Sequence, residues 1–193
     1  MKRCLILLLA IGALACGVPL VYAQVDTLAT PIERTLVQLP VPAGFADPSR
    51  ELPQIRQLGE RETPASNRLL AIFMSQADIN SALAGQQPAM ARYFMAQTLR
   101  QTESSQISEA EFAQVKTLQR QQYQSLLAAT KYRLQAGEKV SEVPMAMGIT
   151  TAVFKGKLVY FYAYSVYQSP ADFEWVRSAT RTWLPLAASS NPP

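Results

Sequence analysis

The stretch 145-MAMGITTAVFKGKLVYFYAYSVY-167 decides the fold. Two apolar runs, Met145–Phe154 and Leu158–Tyr167, flank Lys155-Gly156-Lys157. Runs rich in β-branched and aromatic residues on either side of a short glycine-bearing turn predict an antiparallel β-hairpin. In the second run Leu158, Tyr160, Tyr162, Tyr164 and Val166 alternate to one side, and Val159, Phe161 and Ala163 to the other. A strand apolar on both faces is covered on both, or one face binds something. Tyr160, Tyr162 and Tyr164 are therefore the candidate ligand- or partner-binding row, with Tyr167 near the strand end and on the other face. A tyrosine offers an apolar body with a polar tip, which suits stacking on sugars or gripping an apolar peptide. The competing reading makes the rings core, under helices expected at 108–134 and 169–187, with the hydroxyls at the rim.

Those two helices are read from their ends. Ser108-Glu109-Ala110-Glu111 is a capping box opening a helix to about Leu134, whose inner side would be Phe112, Val115, Leu118, Leu126 and Leu127. Gly137 lies where a left-handed cap would close it. Ser169-Pro170-Ala171-Asp172 sets a serine N-cap, proline in the first turn and a carboxylate at the positive helix end. Phe173, Val176, Thr180, Trp183 and Ala187 form its inner stripe, and Pro185 should kink or end it. Arg177 and Arg181, one turn apart beside Glu174 and Asp172, predict a solvated, salt-bridged face.

Farther upstream, Leu36 to Phe45 is a short strand running into a turn, stopped or kept at an edge by Pro40 and Pro42. Residues 50–62 carry Leu52, Ile55 and Leu58 at helical spacing, with Pro53 in the first turn. Leu69–Met74 and Ala91–Leu99 are strands, and 77–84 is a short helix closed by Gly85. Strands with helices between them, in this order, predict an α+β fold: a central antiparallel sheet flanked by helices, with a C-terminal hairpin followed by a helix. The expected organisation is a signal peptide at 1–23, a flexible segment at 24–34, one domain at 35–188 and a disordered tail at 189–193.

The strand ending in Leu39-Pro40-Val41-Pro42-Ala43-Gly44-Phe45, the later hairpin and the closing helix with Trp183 resemble the Mog1/PsbP-like fold as an order of elements. That resemblance implies a sheet between helices and a binding or assembly role rather than catalysis. The chain also resembles exported proteins of Gram-negative bacteria, which adds a compartment but no activity.

The compartment is also legible at the N-terminus. Lys2 and Arg3 precede the apolar run Cys4–Val18, Pro19 breaks it, and Val21-Tyr22-Ala23 suits a signal peptidase, with cleavage between Ala23 and Gln24. The run falls short of the roughly 20 apolar residues that span a bilayer. A lipobox reading of Ala13-Leu14-Ala15-Cys16 is a weaker match, because leucine is the usual first residue. The expected product is a periplasmic domain of about 170 residues without a membrane span.

Composition then narrows the chemistry. The chain has no histidine, and both cysteines, Cys4 and Cys16, lie in the signal. The usual zinc sites, Ser-His-Asp triads, Cys-His nucleophiles and disulfide exchange all need those residues. The net charge of +4 falls to +2 once Lys2 and Arg3 are removed, and no basic run marks a nucleic-acid footprint. Phosphate loops and nucleophile elbows are absent from the sequence. The pairs Glu60/Glu62 and Glu109/Glu111 are the carboxylate candidates, the second already explained by the capping box. No cofactor, metal site or catalytic residue is expected. Two readings remain: an envelope interaction module binding a protein through a sheet edge or the tyrosine face, and a carrier or sensor of a small apolar or sugar-like ligand held between sheet and helix.

Overall fold

The computed structural model describes residues 26–135 and 144–192. The expected signal, the Ala23–Gln24 cleavage point, the Cys16 lipobox and Gly137 lie outside the described residues. Among those described, the elements run β1 (Thr27–Ile32), β2 (Thr35–Pro40), β3 (Phe45–Ala46), α1 (Pro53–Glu62), β4 (Asn67–Ser75), α2 (Gln76–Leu83), β5 (Arg92–Leu99), α3 (Glu109–Gln135), β6 (Met145–Phe154), β7 (Lys157–Val166) and α4 (Pro170–Ser190). A single 3₁₀ turn, Arg100–Thr102, follows β5. The fold is α+β: β3 to β7 form an antiparallel sheet in the order β3-β4-β5-β7-β6, and β1 pairs with β2 in a separate ribbon.

The hairpin forms as expected, with a tighter turn. Lys155 and Gly156 alone make it, both at positive φ (50° and 76°), and Lys157 already pairs with Phe154. A two-residue turn with positive φ at both positions matches the right-handed twist of its strands. Lys157 is buried, and its ammonium donates to the carbonyls of Glu103 (2.7 Å) and Ser105 (2.9 Å). That ties the turn to the segment leading into α3.

The main core lies between one sheet face, α4 and the β1–β2 ribbon. Phe73, Phe94, Ala96, Phe161, Ala163, Val37, Leu39, Val176 and Ala187 are buried there around Trp183. The Trp183 ring meets Phe161 (4.7 Å), Phe94 (5.0 Å) and Phe73 (5.8 Å) edge-on, the arrangement that aromatic quadrupoles favour. Its indole N–H donates to the Pro40 carbonyl at 2.7 Å, so the buried polar tip has a partner. Gly148 of β6 allows α4 this close. A Cβ there would lie 2.6 Å from Val176 Cγ1 and 2.9 Å from Thr180 Cγ2.

On the opposite face α1 and α2 cover the β4–β5 half through Leu52, Ile55, Ile79, Leu69, Ile72, Met74 and Met95. Tyr93, Tyr162 and Tyr164 pack against the margin of that smaller core.

Several expectations need correction. Residues 27–32 are not a tether but a strand registered against 35–40, whose Thr30 and Ile32 are buried and whose Pro31 hides the alternation. The tail is folded through Asn191. Its side-chain amide accepts from Gln38 N–H (2.8 Å) and donates to the carbonyls of Gln38 (2.6 Å) and Ala187 (2.8 Å). Helix α4 runs through Pro185 to Ser190, the proline ring being exposed. Within its stripe Phe173 is exposed, lying 5.0 Å from the Tyr167 ring. Arg177 pairs with Glu174 (3.2 Å), but Asp172 is buried and turned inward. Its carboxylate accepts from the backbone of Gln168 and Ser169, from Ser165, and from Arg92 at 3.3 Å. Finally, α3 keeps its capping box, with Glu111 accepting from Ser108 N–H (2.8 Å). Its expected inner residue Leu118 is 57% exposed, and the side chains of Leu126 and Leu127 lie outside the described set.

Candidate functional site

Strand geometry builds the tyrosine row. Alternate residues of β7 stand on one face about 6.5–7 Å apart, and Tyr160, Tyr162 and Tyr164 follow that spacing. The rings of Tyr162 and Tyr164 lie parallel at 6.0 Å, and those of Tyr160 and Tyr162 are tilted at 6.5 Å. Register adds a fourth ring that the sequence reading missed. Tyr93 of β5 sits opposite Tyr164, and the two rings stack at 4.6 Å with 12° between planes. Only the strand pairing brings Tyr93 here, so no local pattern could have revealed it.

These four tyrosines are half-buried. The opposite face of β7 is sealed by α4, as Phe161 and Ala163 show. On the tyrosine face α1 and α2 reach Tyr93, Tyr162 and Tyr164, and Gln119 of α3 reaches Thr151 beside Tyr160. The phenols are held neutral. Burial, followed by its neighbour Tyr160, pushes Tyr162 up to about 12. Burial, with Tyr93 and Tyr162 adding, raises Tyr164 further. Tyr160 is raised by burial, and Tyr93 by burial and then by Glu62.

Tyr167 does not join the row. It follows β7, packs on the α4 side against Phe173, and its N–H donates to the Pro144 carbonyl at 2.8 Å. In its place the row is extended by the edge strand. Register sets Met147 opposite Tyr164, Ile149 opposite Tyr162 and Thr151 opposite Tyr160. Met145, Met147 and Ile149 are 39%, 39% and 38% exposed. The Thr151 hydroxyl donates to Gln119 Oε1 of α3 at 2.8 Å. A groove of about 510 Å³ separates this part of β6 from α3, lined by Met147, Gly148, Ile149, Lys116, Gln119, Arg120 and Gln122.

A second concavity lies on the α4 side. A cleft of about 230 Å³ opens between the Pro42–Phe45 turn, β5 and α4, walled by Phe45, Phe94, Trp175, Trp183 and Leu186. Phe45, Trp175 and Leu186 are half-buried, and the Arg92 guanidinium lies 4.6 Å from the Trp175 ring centroid. The cleft is aromatic and uncharged in its depth, as a site for a small apolar ring requires.

The carboxylate pairs do not form an acid–base site. Glu60 binds Arg56 across one helical turn (3.0 Å), and Glu111 is engaged by Ser108. Among the described residues no cluster of three or more Asp, Glu, His or Cys is placed to hold a metal ion, and no helix is long and apolar enough to cross a membrane. Comparison with protein-family models, curated proteins and solved structures finds no match to this chain.

Proposed function

We propose that the protein is an exported, non-catalytic interaction module of the periplasm, which holds a partner protein on the tyrosine face. One observation carries the reading. Four aligned, half-buried tyrosines and the exposed Met145, Met147 and Ile149 form a continuous apolar and aromatic surface. Contiguous exposed apolar surface on a small domain marks an interaction site, and tyrosine and methionine are enriched in the buried centres of interfaces. The N-terminal pattern supports export, and the order of elements supports the likeness to the Mog1/PsbP-like architecture with its assembly role.

Site-specific photocrosslinking in intact cells tests it. A crosslinker in place of Tyr160 should give a discrete protein adduct, and one in place of the exposed Arg181 on α4 should not. Equal adducts from both positions, or none from position 160, would rule the face out. The intact mass of the same material should begin at Gln24.

The aromatic cleft beside α4 favours a second reading, a carrier of a small apolar ligand. Native mass spectrometry should then show a bound mass that Trp175→Ala removes.

A further inference from the structure

Strand β6 is an edge of the sheet, and among the described residues no strand pairs with its outer side. It is the last strand of the sheet, ten residues long, and its sequence MAMGITTAVF contains no charge and no proline. Natural edges are normally blunted by lysine, proline, bulges or brevity, because a free row of backbone groups recruits another strand. In an antiparallel ladder, directly opposite residues alternate between those that exchange hydrogen bonds and those that do not. The two-residue turn fixes Phe154–Lys157 as an exchanging pair. Ala152, Thr150, Gly148 and Ala146 therefore bond inward to β7. Met147, Ile149, Thr151 and Val153 direct their N–H and C=O outward, and among the described residues the backbone of Met147, Ile149 and Thr151 has no partner on that side.

The groove beside this edge has a polarity. Its far wall is α3, which presents Lys116 and Arg120 one turn apart with Gln119 between them. Its near wall is Met147 and Ile149. Among the described residues no carboxylate lines it. A strand laid against β6 would turn alternate side chains to opposite faces of the sheet. Carboxylates in the set turned toward α3 would meet Lys116 and Arg120, and the alternate set would be apolar.

We infer that β6 is a β-augmentation site for an extended segment of a partner protein in which apolar and acidic residues are mixed. The segment would form a sixth strand of the main sheet between β6 and α3. This rests on the reading of the protein as an interaction module and names the kind of segment it takes.

The test uses the processed chain and a short, fluorescein-labelled, acetylated peptide of alternating valine and glutamate. Its valine–lysine counterpart and a version N-methylated at alternate residues are the controls, with anisotropy as readout. The valine–glutamate peptide should bind, and both controls should be at least about tenfold weaker, the loss expected when backbone bonds and opposite charges are withdrawn. Ile149→Pro removes an outward N–H without breaking the β6–β7 ladder and should weaken binding similarly, as should Lys116→Glu combined with Arg120→Glu. Absence of binding, or equal binding of the valine–lysine or N-methylated peptide, overturns the inference. The N-methylated control holds even where Ile149→Pro perturbs folding. A concentration-dependent dimer of the free protein that Ile149→Pro abolishes also overturns it, in favour of self-pairing. Any of these failures leaves the crosslinking result at Tyr160 standing by itself, so the edge and the face fail separately.

Discussion

Replacing Asn191 by alanine should destabilise the protein well beyond what a residue two places from the end of the sequence ordinarily does. The carboxamide lies against β2 as another strand's peptide group would: it accepts from Gln38 N–H at 2.8 Å and donates to Gln38 C=O at 2.6 Å. A third bond to the Ala187 carbonyl at 2.8 Å closes α4. Asn191 is 6% exposed, so water replaces these partners poorly. Each such bond contributes about 0.5–1.5 kcal/mol net. With Gln38 itself half-buried and able to recover part of the loss, the total comes to about 2–3 kcal/mol. For a domain of this size that corresponds to a fall in Tm of about 4–12 °C. Thermal and urea unfolding followed by circular dichroism measures it, with Ser189→Ala as control, since that exposed hydroxyl bonds only within its own helix. Asn191→Asp should be at least as damaging, because a carboxylate facing the Gln38 carbonyl keeps the acceptor and loses the donor. A fall in Tm below about 1 °C for Asn191→Ala would refute the idea that the chain end is clamped to β2.

Gly148→Ala should cost about 1 kcal/mol, the overpacking against Val176 and Thr180 outweighing the gain from replacing a strand glycine. Val176→Ala in the same chain should relieve part of that cost, and a more stable single variant in urea titration would count against the close approach of α4. Tyrosine ionisation followed by ultraviolet absorbance should show phenols titrating above pH 10, with Tyr162 near 12. Because the folded phenols are raised, the stability they confer is complete below about pH 10 and is lost as pH climbs through the folded values. Normal titration of all the tyrosines would show the row to be solvated. Asp172 is held down to about 2, chiefly by the backbone N–H of Gln168 and then of Ser169. Its contribution is therefore present above about pH 4 and lost as pH falls toward 2. Asp172→Asn should flatten the acid limb of a stability–pH curve, and an unchanged limb would remove Asp172 as its cause.

The legible parts of the fold were those written in local chemistry. Glycine at 156 between two apolar runs announced the hairpin, and Ser108 with Glu111 announced α3. Pro53 and the spacing of Leu52 and Ile55 placed α1. What the sequence concealed depends on distant partners. β1 carries threonine and proline where a strand usually shows branched apolar residues, and only its ladder with β2 makes it regular. Asn191 looks like tail until Gln38 is set against it. The stripe on α3 shows that periodicity defines a face without supplying something to cover it, since Leu118 is left in solvent. The candidate site divides the same way. Alternation along β7 placed Tyr160, Tyr162 and Tyr164 together and Tyr167 on the other face, but Tyr93 entered through register.

The position of Trp183 makes closure of the main core depend on residues far apart in the sequence. Its ring is the centre onto which Phe73, Phe94 and Phe161 close, and its N–H reaches back to Pro40. A chain that ends at β5 has α1 and α2 over one face of its strands, but lacks the α4 residues that pack on the other. Even with the hairpin made, the main core stays open until α4 arrives. The main core is thus closed by contacts between distant parts of the chain, and pairings of such high sequence separation slow folding. Truncation before Trp183 should therefore leave Phe73, Phe94 and Phe161 without the ring on which they pack.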